Sequence, residues 1–169
     1  MSTELSAAPM PDTVEAIGTQ YLTFMLAGEQ YGLNILQVQE IRGWEHVTRI
    51  PNAPEYVKGV INLRGTIVPV LDLRSRFKLH AEPYTKETVV IVVRAAGKVA
   101  ERSLGLVVDA VSDVLVAQDN DVISTPDFGA NVPTENIVGL VNQDGNMVML
   151  LDVASLHEHR GDDTGAEAG

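Results

Sequence analysis

The sequence predicts an all-β protein built from two small, related barrels, and three observations carry that reading. Residues 59–73 align without a gap on residues 139–153, an offset of 80, with Gly59/Gly139, Asn62/Asn142, Gly65/Gly145, Val68/Val148, Leu71/Leu151 and Asp72/Asp152 identical. Each copy has two apolar runs split by a glycine-containing turn, the pattern of a hairpin. Along the rest of the chain, short apolar runs recur between turn signals and helical spacing is scarce, which favours small barrels over a parallel sheet.

Taken in order, residues 20–26 read as a strand, Gly28-Glu29 as a turn and 30–33 as its partner strand. Ile35, Val38, Gln39 and Ile41 have the spacing of one or two short helical turns with Asn34 as cap, and fit an irregular connection equally well. The prolines of residues 50–54 forbid regular structure there. The first repeat hairpin follows over 56–73, then a short helix within 71–79. Residues 82–85 give the clearest internal break, a boundary near 80–86 with segments free to interleave across it. Residues 88–93 are apolar on both faces, as in a strand covered on both sides, with 104–108 as partner and 109–116 prolonging it. The second hairpin covers 137–153, with a terminal helical turn over 154–159.

Comparing the two copies isolates the unusual positions. Asp144-Gly145 is a strong hairpin turn, because both residues tolerate positive φ. Arg64-Gly65 takes the same place, so that turn is either type II or mildly strained. Pro69 cannot donate to a ladder, which places it on an edge, at a strand end or at a bulge and makes its strand the one more open to a partner or a neighbouring barrel; its equivalent Met149 carries no such restriction.

Composition bounds the function. The chain of 169 residues has no cysteine, so disulfides, thiolate metal sites and thiol nucleophiles are excluded, in keeping with a reducing, cytoplasmic setting. Residues 1–18 lack lysine, arginine and any long apolar stretch, unlike a secretory signal. The longest apolar runs fall well short of the roughly 20 residues of a membrane span, so no direct membrane insertion is expected. A net charge of -11 argues against nucleic acid. Over half of that imbalance lies in segments 1–18 and 158–169, and 1–18 and 157–169 read as mobile tails around an ordered 19–156.

No catalytic, cofactor-binding or metal-binding set emerges. His157-Glu158-His159 abuts the tail, Asp119-Asn120-Asp121 lacks the glycine and distal glutamate of a calcium loop, and Asp72 and Asp152 read as helix caps because the repeat duplicates them. Aliphatic residues outnumber the places inside two narrow barrels, so some must lie between them or outside, where apolar patches bind partners. The residues describe a binding module.

Val38-Gln-Glu-Ile41, Arg49-Ile-Pro-Asn-Ala-Pro54 and residues 59–74, followed in order by 107–114 and Gly139-Leu-Val, resemble the signature of the CheW family of bacterial chemotaxis coupling proteins over roughly residues 19–156. The resemblance implies two SH3-like five-stranded β-barrel subdomains with a shared hydrophobic seam and few short helices. It implies a non-catalytic adaptor linking the cytoplasmic tip of methyl-accepting chemotaxis receptors to the regulatory domain of the histidine kinase CheA, recruited to receptor arrays at the inner membrane and self-associating weakly there. Receptor binding then falls on Val38, Glu40, Arg64, Val111 and Val114, with Glu40 and Arg64 pairing across the groove rim, and kinase binding near Gly59. Residues 95–104 are longer and more polar than the family pattern. A regulatory module of a related signalling system, either a kinase domain or a CheV-like fusion, is the alternative; it needs a further domain of about 120 residues, against the ten residues that follow His159 here, so the adaptor is the expected reading and full gene length decides between them.

Overall fold

The computed structural model describes residues 18–96, 101–123 and 136–157; the expected tails, apart from Gly18 and His157, lie outside them. Strands β1 (Thr19–Leu26) and β2 (Glu29–Asn34) open the chain. A 3₁₀ turn, Ile35–Gln37, leads into β3 (Val38–Gly43). The repeat hairpin β4 (Val57–Leu63) and β5 (Thr66–Asp72) ends in the one-turn helix α1 (Leu73–Arg76). Then come β6 (Val89–Ala96), β7 (Glu101–Val108) and β8 (Ala110–Ala117). The second repeat hairpin, β9 (Ile137–Gln143) and β10 (Asn146–Leu151), ends in α2 (Val153–His157).

Three hairpins close through two-residue turns with positive φ at both central positions: Ala27 and Gly28 at 53° and 83°, Arg64 and Gly65 at 51° and 91°, Asp144 and Gly145 at 54° and 89°. That is the type I′ turn, whose twist matches the flanking strands. Of the two options for Arg64 the strained one holds: an arginine sits where glycine or aspartate is at ease. The shared asparagine now has a role, since Asn62 Oδ1 accepts from the Gly65 N–H at 2.8 Å and Asn142 Oδ1 from the Gly145 N–H at 3.0 Å.

The strands form two five-stranded sheets, ordered β3-β6-β7-β5-β4 and β9-β10-β2-β1-β8. Each curls shut through one bridge beyond its named strands. Thr48 exchanges both backbone hydrogen bonds with Val60 (3.0 and 2.8 Å), and Ile123 does so with Leu140 (2.8 and 2.9 Å). The chain crosses between barrels at Ile35–Gln37 and again at Asp109. Residues 80–86 therefore separate two parts of one sheet rather than the two barrels.

Three expectations are corrected. Asn34 does cap, accepting from the Leu36 N–H at 2.9 Å, but only a single 3₁₀ turn follows and Val38 to Ile41 belong to a strand. Residues 110–117 do not prolong β7; after Asp109 they pair with β1 in the other sheet. Pro69 is not on an edge strand, because β5 lies between β4 and β7. Counted from the closing pair Leu63 and Thr66, Pro69 faces its missing N–H away from β4, and β7 joins only from Val70 onward.

Side-chain alternation sorts the apolar residues into three clusters. Val68, Val70, Val90, Val92 and Val107 fill the first barrel, and Leu115, Val141, Val148 and Leu150 the second. The largest cluster lies between them: Phe24, Tyr31 and Leu33 meet Leu73, Phe77, Ile91, Leu106, Val153 and Leu156. Strand β6 thus turns Val90 and Val92 into its barrel and Ile91 and Val93 into the seam, which is why its sequence is apolar at every position from Val89 to Val93. Phe24, Tyr31 and Phe77 stack in series at 5.7 and 6.0 Å, and burial first, then Glu29, pushes the Tyr31 phenol up to about 12.

Candidate functional site

The seam rim of the first barrel is built on β3. A bulge between Val38 and Glu40 pairs Val38 with Val93, which faces the seam, but Glu40 with Val92, which faces the barrel interior. Spacing alone would put the two on one face of a strand; the bulge separates them. Val38 packs against the seam core, while Glu40 reaches the hairpin tip, where Arg64 Nη2 donates to its Oε1 at 2.8 Å. Arg42 Nη1 donates to the other oxygen at 3.1 Å and Arg42 Nη2 to Glu45 at 2.5 Å. Arg64 first, then Arg42, hold the Glu40 carboxyl below the usual carboxylate range. The outcome is a row of alternating charge, Arg64–Glu40–Arg42–Glu45. Its outermost member is open, with 70% of the Arg64 side chain exposed.

The second barrel contributes β8. Val111 pairs with Phe24 and packs against the seam core, so it and Val38 border the same apolar joint from opposite barrels. Val114 lies past a bulge whose gap is filled by buried Thr23, bonded at 3.0 Å to both the N–H and C=O of Asp113. Val114 is 39% exposed and joins no core cluster. Leu36, in the 3₁₀ turn before β3, and Ile41, on β3 itself, are open at 86% and 44% exposure. None of Leu36, Ile41 and Arg42 stands out as a site residue in the sequence, because a helical reading that runs into Val38–Gly43 hides that strand's alternation.

Gly59 stands apart from this surface. Its φ is 150°, and a Cβ there would lie 2.2 Å from the Thr48 carbonyl oxygen, so glycine is what lets the closing bridge form. Gly139 does the same against Val122 and Ile123 in the second barrel. Asp72 caps α1 as expected, accepting from the Arg74 N–H at 2.9 Å, and also takes the Tyr84 hydroxyl at 2.5 Å. An open cleft of about 420 Å³ is lined by residues 49–55, 57 and 58, with one carboxylate and no histidine. Among the described residues no group of three or more His, Cys, Asp or Glu could hold a metal ion, and no helix is long and apolar enough to cross a membrane.

The two barrels are fixed to one another at the second crossing. Arg74 Nε and Nη2 donate to the two carboxylate oxygens of Asp109 at 2.9 and 2.7 Å, the fork geometry that suits a guanidinium. Asp109 Oδ2 also accepts from the Ala27 N–H at 2.9 Å, and Arg74 Nη1 donates to the His80 carbonyl at 2.6 Å. Burial raises the Asp109 carboxyl, but Arg74 and the Ala27 N–H outweigh it and the net shift is downward. One ion pair thus joins α1, the β1–β2 turn and the point where the chain changes barrel.

Residues 20–160 match the model of the CheW-like domain. The chain belongs to the CheW-like family. Among relatives, this CheW-like chain is 44% identical over 142 residues to "Chemotaxis protein CheW" of Klebsiella aerogenes, covering 84% of itself and 83% of that protein. It is 37% identical over 139 residues to the protein of that name from Rhizobium meliloti, covering 82% of itself and 87% of the relative. The scaffolding protein TtCheW of Thermoanaerobacter tengcongensis superposes with a TM-score of 0.77 at 33% identity, over 85% of this chain and 95% of that one. The five-stranded barrels and the seam between them are the SH3-like pair of the CheW fold.

Proposed function

We infer that this chain is a non-catalytic chemotaxis adaptor that couples methyl-accepting chemoreceptors to the regulatory domain of the histidine kinase CheA. The family match over residues 20–160 carries the reading, and the geometry agrees with it. A scaffold must hold two surfaces in fixed relation, and the seam core with the Arg74–Asp109 fork does that. The receptor tip docks along the seam rim on Val38, Val111 and the Glu40–Arg64 pair, with Val114 extending the contact. The kinase meets the barrel end that Gly59 shapes. In this reading, receptor motion reaches the kinase because both grip one rigid body.

Charge reversal decides the receptor assignment. Arg64→Glu weakens receptor coupling in reconstituted arrays, and Glu40→Arg in the same chain restores part of it, with the fold unchanged by circular dichroism. Full kinase activation by the Arg64→Glu variant would show the site to be wrong.

A further inference from the structure

Two arginines on α1 have opposite fates. Arg74 has each of its three guanidinium nitrogens bonded, to Asp109 and to the His80 carbonyl. Arg76 is 9% exposed, and its Nε is buried with no hydrogen-bond partner. Its guanidinium lies 5.2 Å from the Tyr56 ring centroid, and no Arg76 ion pair exists among the described residues. A ring face attracts a cation but cannot accept from its in-plane donors, of which Nε–H is the one buried here without a partner. A buried charge without a hydrogen-bonding counterion is unfavourable, and the group whose shape fits this fork is a carboxylate. The repeat makes the position conspicuous: 80 residues on, Leu156 fills the corresponding place with an apolar side chain that is 1% exposed.

We propose that Arg76 is a carboxylate-accepting subsite at the end of the seam, and that the acidic C-terminal segment 158–169 of the same chain fills it. Helix α1 packs on β7 and α2 on β6, which are neighbouring strands. Leu73, Phe77, Val153 and Leu156 also share the seam cluster, so α2 delivers the chain beside α1. From there the segment carries Glu158, Asp162, Asp163 and Glu167 against the single cation Arg160. Neighbouring helices lie about 10 Å apart, which a few residues at about 3.4 Å each cover. Tethering also gives these carboxylates a far higher effective concentration than any free one. The proposal is independent of the adaptor reading.

The test compares the full-length chain with a full-length variant carrying Glu158→Gln, Asp162→Asn, Asp163→Asn and Glu167→Gln. The readout is the Arg76 Nε–H signal in ¹⁵N NMR at low salt, assigned by its loss in Arg76→Lys. The native tail slows solvent exchange of that proton by about fivefold relative to the neutralised tail, the factor for a surface-end ion pair. The neutralised tail also lowers the melting temperature in the native background but not in Arg76→Met. Identical exchange and melting with both tails would overturn the proposal. A signal that ignores the tail yet slows when a kinase or receptor fragment is added would overturn it too, assigning the subsite to a partner's carboxylate.

Discussion

Asp109→Asn tests the joint between the barrels. The substitution keeps the side chain's size but replaces one carboxylate oxygen by an amide NH₂. Asp109 Oδ1 faces Arg74 Nε, and Oδ2 faces both Arg74 Nη2 and the Ala27 N–H, so every partner is a donor. Whichever way the amide flips, a donor meets a donor and the countercharge of a guanidinium with only 15% of its side chain exposed is lost. Hydrogen bonds to charged groups contribute about 1.5–3 kcal/mol each, and Asp109, with 32% of its side chain exposed, belongs at the lower end. A total loss of about 2–3 kcal/mol corresponds to a melting temperature lower by about 6–9 °C in a domain of this size. The pH dependence has a definite sign. The folded Asp109 carboxyl titrates below its unfolded value, so its contribution is complete above about pH 4 and fades as the pH falls through the folded value. Thermal melts by circular dichroism at pH 7 and near pH 2.5 check both parts: a wide gap between the proteins at neutral pH, closing in acid. A loss under about 2 °C at pH 7 would refute the joint's importance; an equal loss at both pH values would refute its electrostatic origin.

Three further outcomes follow from the same geometry. Gly59→Ala drives a Cβ into the Thr48 carbonyl and opens the first barrel's closing bridge, costing about 3 kcal/mol or more, with a urea unfolding midpoint to match. Phe77→Ala removes the last ring of the seam stack and leaves a cavity shared by both barrels, costing about 3–5 kcal/mol by the same assay. Arg64→Gly relieves the left-handed arginine, raising stability by up to about 1 kcal/mol while receptor-fragment affinity falls, so thermal melts and binding titrations move in opposite directions.

The repeat made both hairpins legible, because glycine, asparagine and aspartate recur where turn, brace and cap demand them. The apolar run 89–93 disclosed a strand covered on both faces, though not that one face is a barrel and the other a seam. What escaped the sequence was long-range. Closure by Thr48 and Ile123 depends on carbonyls approaching glycines many residues away, and no periodicity records that. The bulge at Val38 and Glu40 inverts one face of a strand and leaves no compositional trace. Glu40 and Arg64 were both legible as candidates, and their pairing across the rim is seen in the structure. Arg42 and the Arg74–Asp109 fork were not singled out, since their partners lie on strands whose neighbours only the topology reveals.

The central claim is that one rigid body grips two partners at once. Sedimentation velocity of the full-length chain, mixed with a chemoreceptor tip fragment and the CheA regulatory domain singly and together, tests it most directly. The account predicts binding to each partner and a ternary boundary heavier than either binary complex. Binding to neither, or strict competition between the two, would contradict it.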